Sequence, residues 1–249
     1  MGFLDKFLGK KPVATPIRSC ADEVSAHFEA LFPGRESFVF HDLISDSVHI
    51  DVNVMRPTPE QDFYVLYTTG MSDLPMTLPR KIAKREDLKY AELYLFLPGS
   101  WDLGKTGSLS SDIPEADYWP VGLLKFLAGF PHAYHTWLGF GHTLPNGADY
   151  EPFHDGVGFG GVILSRRDGG LAGLETSNGR HLALCGVIPA YKEEIAYKLE
   201  YGMEKLEDLF REKELSMILD IHRPNLCADL REGPNKCVFS GVDKSAANR

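Results

Sequence analysis

The chain has 249 residues, 43% of them hydrophobic, and carries 26 Lys and Arg against 35 Asp and Glu for a net charge of −9. That is enough chain and enough apolar content for a substantial core, which places it among globular proteins. The acidic balance offers no basic stripe to a phosphate backbone, arguing against a nucleic-acid partner, and no apolar run approaches the ~20 residues that span a bilayer, arguing against a membrane protein.

The opening "MGFLDKFLGKKPVATP" interrupts its apolar residues with Asp5 and Lys6. It lacks the continuous core of a signal peptide, so a cytoplasmic protein is expected. Lys6 also stands where a myristoylation motif after Met-Gly wants Ser or Thr. Residues 1–18 read as a flexible segment. In "SCADEVSAHFEALFP", Ser19 is placed to cap a helix whose Val24, Phe28 and Leu31 share one face and which Pro33 stops.

"SVHIDVNVMRP" alternates strictly, sending Val48, Ile50, Val52 and Val54 one way and His49, Asp51 and Asn53 the other, as in a strand with one wet face. A Pro-containing turn joins it to "FYVLYTTG", and the pair reads as an antiparallel hairpin. A loop with a short basic helix leads to the apolar strand "AELYLFLP". Beyond a Gly/Ser-rich loop, "WPVGLLKFLAGF" predicts a helix with Pro120 at its start, Leu123, Leu124 and Leu127 on one side, and Pro131 at its end. "TWLGFGHTLPNG" then alternates like a strand running into a Pro-Asn-Gly turn. "GGVILS" and "GRHLALCGVIPAY" read as strands. A long helix follows, with Ala196, Leu199, Met203, Leu206 and Phe210 as its inner face, and then a strand "SMILDIHRP". Residues 231–249 form a polar tail. No linker or repeat divides residues 19–230, so the expectation is a single α/β domain of the α+β type, with a predominantly antiparallel or mixed sheet and packed helices.

Motifs for chemistry are sparse. "GVGFGG" fits the letters of a dinucleotide fingerprint, but its glycines feed a strand where the pyrophosphate would need a helix N-terminus. His132, His135 and His142 supply the three ligands a catalytic zinc site needs, at a spacing that matches no zinc motif. They are the basis of an alternative reading as a hydrolase or metal-dependent enzyme. His49 and Asp51 share a strand face and could bind an ion, although a solvated face accounts for them equally well. The four cysteines, Cys20, Cys185, Cys227 and Cys237, are scattered and read as free thiols. No nucleophile elbow and no P-loop occurs. The residues thus assign no catalytic group, no metal and no cofactor.

The order of the blocks is more informative. "TTGMSDLPM", then "WPVGLLKFLAGFPHAYHTWLGFGHTLPNG" with "EPF" after it, then "GVIPAYKEEIAYKLEYGMEKL" and "MILDIHRPN", resembles the Suppressor of fused family. The resemblance rests on Gly70, Ser72, Asp73 and Leu74, on Trp119 and Pro120, and on Gly141 and His142, with Pro145 closing the same stretch. It implies a non-catalytic protein-binding module. In animals such a protein restrains Gli-type transcription factors, holding an extended peptide between this domain and a second one. This chain stops where the first domain would end, so that role does not transfer. Single-domain bacterial relatives are associated with toxin-neutralising immunity proteins. The resemblance therefore implies that the partner is another protein or an extended segment of one, bound by strand addition or by exposed aromatics. A basic toxin would suit the acidic charge. Phe130, Trp137 and His142 are the candidate partner-binding residues. Trp119, Trp137, Phe130 and Phe140 are otherwise expected to be core anchors of a helix-to-strand corner.

Overall fold

The computed structural model describes residues 19–41, 48–104 and 113–229. The two terminal segments read from the sequence as flexible or polar lie outside the described residues, as does Cys237.

Among the described residues eight strands form one sheet: β1 (Ser37–Phe40), β2 (Asp51–Met55), β3 (Phe63–Thr69), β4 (Ala91–Pro98), β5 (Thr143–Pro145), β6 (Gly161–Ser165), β7 (Gly173–Glu175) and β8 (His181–Ala190). Their order is β1-β2-β3-β4-β8-β6-β5, with β7 also pairing β8. Every pairing is antiparallel except that of β4 with β8. Among the described residues four helices pack on this sheet: α1 (Ala21–Leu31), α2 (Glu115–Ala133), α3 (Lys192–Tyr201) and α4 (Met203–Glu212). The chain is a single α/β domain with a mixed, mostly antiparallel sheet.

Alternation along β3 and β4 divides their side chains between two cores. Tyr64, Leu66, Leu93, Leu95 and Leu97 face Trp119, Val121, Leu124 and Leu127 of α2. Val65, Tyr67, Tyr94 and Phe96 face Val24 and Phe28 of α1. On that side the Phe28 ring stacks on Tyr67 at 4.1 Å, while α3 and α4 cover Ile163 and Ala190 further along the sheet. The sheet is therefore the middle of three layers. This is why the wet face expected along residues 48–54 is only partly wet: His49, just before β2, is exposed, but Asn53 and Met55 within β2 are buried on the side of the sheet that α1 covers.

Several boundaries differ from the sequence reading, each for a local reason. Cys20, not Ser19, occupies the N-cap of α1; Ser19 Oγ accepts from the Ala21 N–H instead. Helix α2 begins five residues before Pro120, where Glu115 and Asp117 favour the positive helix end. It also continues past Pro131 to Ala133, with the Tyr134 N–H on the Phe130 carbonyl and the Thr136 N–H on the Pro131 carbonyl. The strand expected from Thr136 shrinks to Thr143–Pro145, because the chain turns at Gly141 (φ 79°) and the His142 N–H donates to the Gly139 carbonyl. The long helix is two helices, broken at Gly202 (φ 90°). The break changes the inner face, so Ala196 and Leu199 are exposed whereas Glu194, Ile195, Leu206 and Phe210 are buried. "SMILDIHRP" makes one bridge, Ile218 beside Phe96, before Asp220 turns the chain by accepting the His222 N–H. The expected basic helix is a pair of short 3-10 turns, Arg80–Ile82 and Glu86–Leu88.

"GVGFGG" opens β6 and no helix follows it. A Cβ on Gly160 would lie 2.1 Å from the Tyr150 carbonyl oxygen and one on Gly161 2.7 Å from that of Leu144, so these two glycines serve close backbone packing. Cys20, Cys185 and Cys227 are free and buried, and burial pushes the Cys185 thiol up to about 12. No helix of the described residues is long and apolar enough to cross a membrane.

Candidate partner-binding surface

Helix α2 sorts the aromatic residues of the 118–147 stretch by face. Trp119 and Pro120 point inward, where Trp119 stacks on Phe153 at 5.5 Å and meets Trp101 edge-on at 6.2 Å. Phe126, Phe130 and Tyr134 follow one another at four-residue steps on the outer face, with ring centroids 5.8 and 4.6 Å apart. Phe126 is 55% and Tyr134 57% exposed, with Phe130 partly buried between them. These rings touch one another, and Phe130 alone also leans on the core.

The following corner is built differently. Trp137 and His142 meet edge-to-face at 4.2 Å, both partly buried. Burial, and then the charge of Lys198, hold the His142 imidazole below its usual range against the opposing effect of a hydrogen bond with the Trp137 backbone. Its surroundings thus disfavour the charged imidazolium. Phe140 is 39% exposed with the Arg166 guanidinium 5.1 Å from its ring, so it is not the core anchor the sequence suggested. Pro145 ends β5, at one end of the sheet order. Of the three candidate partner-binding residues, the structure thus brings Trp137 and His142 together, while Phe130 shares its ring contacts with Phe126 and Tyr134.

The three histidines do not form a metal site. His132 Nε2–H donates to the Met71 carbonyl at 2.9 Å, His135 is exposed at a left-handed backbone position (φ 50°), and His142 packs on Trp137. Among the described residues, one group of His, Cys, Asp and Glu lies close enough to share an ion: His41, His49 and Asp51.

Two buried polar constellations lie away from this surface. Gly70 ends β3 at φ 101°, where a Cβ would lie 1.9 Å from the His49 carbonyl oxygen. The turn aims the Ser72 N–H and Oγ at Glu92 Oε1 (2.9 and 2.6 Å), and Thr68 Oγ1 donates to Oε2 (2.6 Å). Asp73 accepts the Cys20 N–H at the start of α1. Glu92 is fully buried, and burial raises its carboxyl to about 7 despite those hydrogen bonds. The second constellation is the ion pair of Arg223 with Glu194, buried between α3 and the segment after α4. Sequence reading missed Glu92, Glu194 and Arg223 as polar centres. The available signal was an acid inside the apolar run "AELYLFLP".

Comparison with known proteins follows the same outline. The family profile of Suppressor of fused protein (SUFU) matches residues 46–224, well over half of the chain. A SUFU homologue from Neisseria gonorrhoeae superposes with a TM-score of 0.59 at 16% identity, covering 82% of this chain and 95% of that one. The structure of a Sufu–Fu complex matches with a TM-score of 0.55 at 11% identity, covering 82% and 91%. Drosophila Suppressor of Fused gives 0.52 at 10% identity, over 84% of this chain and 50% of that one. No curated protein matches the sequence.

Proposed function

Because the chain belongs to the Suppressor of fused family, known for protein-binding regulators, we propose that it is a non-catalytic module that binds and restrains another protein. The observation that carries this reading is the exposed aromatic row Phe126, Phe130 and Tyr134 on α2. Large rings held in fixed positions at the surface are the side chains that dominate protein interfaces. The Trp137–His142 corner and the end strand β5 follow in the same stretch of chain, where an extended segment of the partner can add to the sheet. The net charge of −9 favours a basic partner. In its most specific form, the partner is a basic toxin that the module neutralises in the cytoplasm, as an immunity protein does.

Immobilised wild-type protein is expected to retain a discrete basic protein from lysate of its own cell, with retention weakening as salt rises. Phe126→Ser with Tyr134→Ser should weaken capture of that same protein by at least ~10-fold, the order expected when interface aromatics are lost, while lowering the melting temperature by only a few degrees, since both rings are more than half exposed and lose only their contacts with Phe130. Undiminished capture by this double variant would remove the aromatic row from the interface. Hydrolytic turnover that disappears in His142→Ala would overturn the non-catalytic reading.

A further inference from the structure

At the end of the β1–β2 ribbon, three metal-ligating side chains converge that play no part in the binding surface. The register pairs Phe40 with Val52, so His41 stands across from Asp51 one step further along, and His49 lies two residues before Asp51 on the same face. That face is the one α1 covers at Met55, but α1 does not reach this end: the His41 and His49 side chains are 65% and 55% exposed, and Asp51 is 20% exposed. His41 Nδ1 is 3.1 Å from Asp51 Oδ2, and His49 Nε2 is 3.0 Å from Asp51 Oδ1. One carboxylate thus holds both rings, and the three ligand atoms lie within 4.8 Å of one another. Lys125 Nζ donates to the His41 carbonyl at 2.7 Å, fixing the backbone that carries the first ring.

We infer that His41, His49 and Asp51 bind a single divalent cation of the zinc class. Zinc bonds of ~2.0–2.2 Å to nitrogen and oxygen place tetrahedral ligand atoms about 3.3 Å apart. The two rings reach different oxygens of Asp51, at 3.1 and 3.0 Å, so whichever oxygen binds, one imidazole is already close to that separation, and rotation of the two exposed imidazoles closes the rest. Two neutral nitrogens and one carboxylate oxygen suit Zn²⁺ and its neighbours Co²⁺, Ni²⁺ and Cu²⁺, whereas Mg²⁺ and Ca²⁺ prefer oxygen ligands throughout. Three protein ligands leave a fourth position for water or for a side chain of a bound partner. The ligands come from the β1–β2 ribbon and the partner-surface rings from α2, so the histidine variants and the Phe126→Ser, Tyr134→Ser variant test separate residues and either reading can fail without the other.

The test uses the full chain, freed of metal by a chelator and titrated with Zn²⁺ alone. Calorimetry or equilibrium dialysis should show one ion per chain, and a melting temperature that rises with Zn²⁺ but not with Mg²⁺. His41→Ala and His49→Ala should each weaken binding by at least ~10-fold, a range typical of damage to a metal site, while melting like wild type without metal. The inference is overturned if wild type shows no saturable binding, if the double histidine variant binds Zn²⁺ as wild type does, or if light scattering shows one ion bridging two chains.

Discussion

Replacing Arg223 with Met is expected to destabilise the protein by about 3–5 kcal/mol, the cost of leaving one partner of a buried ion pair alone. Arg223 meets Glu194 through two hydrogen bonds, Nη1 to Oε1 at 2.6 Å and Nη2 to Oε2 at 2.7 Å. Its guanidinium also donates to the Pro189 and Pro224 carbonyls and lies 4.7 Å from the Phe159 ring. Glu194 is completely buried, and it additionally accepts the N–H groups of Tyr191 and Leu226. Methionine fills the volume but leaves that carboxylate uncompensated in a dry site. For a domain of this size the loss corresponds to a melting temperature lower by on the order of 10 °C. Adding Glu194→Leu should recover only part of the loss, because it removes the uncompensated charge but leaves the Tyr191 and Leu226 N–H groups without their acceptor. Urea unfolding of both variants at pH 7 checks this. A single variant within about 1 kcal/mol of wild type would show that water or a rearranged segment takes over the role of Arg223.

The second large effect is a pH dependence carried by Glu92. Its folded carboxyl is raised from 4.5 to about 7 by burial, with Ser72 and Thr68 opposing the shift. Between those values the folded protein keeps a proton that the unfolded chain has released. Stability from this group is therefore complete below about 4.5 and is lost as pH rises toward 7. The full shift is worth roughly 3 kcal/mol at ~1.4 kcal/mol per unit. Glu92→Gln is neutral at every pH and similar in shape, so subtracting its stability from that of wild type isolates the effect. The difference should move against wild type from pH 5 to pH 7.5 and level off above. A flat difference would mean that the three hydrogen bonds keep the carboxylate ionised throughout.

What could be read from the sequence followed how local its cause was. "AELYLFLP" became β4 residue for residue, because an unbroken apolar run bounded by turns has few alternatives. The β2–β3 hairpin was equally legible from its alternation. Gly202 was the miss of a weak local signal: helical periodicity runs through it, and its left-handed backbone is visible only in the fold. "SMILDIHRP" had strand composition, but one bridge to Phe96 is all it makes before Asp220 turns it away. The polar centres were hidden for a different reason. Glu194 and Arg223 lie 29 residues apart and His41 meets Asp51 through strand register, so neither pairing has a sequence spacing to recognise. The aromatic row was partly legible. Phe130 stands out in the sequence whereas Phe126 and Tyr134 do not, because which rings of an aromatic helix stay outside is decided by how Leu124 and Leu127 pack on the sheet.

The parallel pairing of β4 with β8 bears on how the chain leaves the ribosome. Strands β1 to β4 can pair as soon as they emerge, each with its sequence neighbour. The outer edge of β4 has to wait for β8, since Ala91 pairs with Ala183. At ~5–20 residues per second of synthesis, the separation leaves the most apolar strand of the sheet with an open edge for roughly 5–20 s. During that interval the nascent N-terminal half is a sheet fragment able to pair with another copy on the same message. Translation speed and chaperone supply, more than the stability of the finished domain, should then decide how much of the protein reaches its native state.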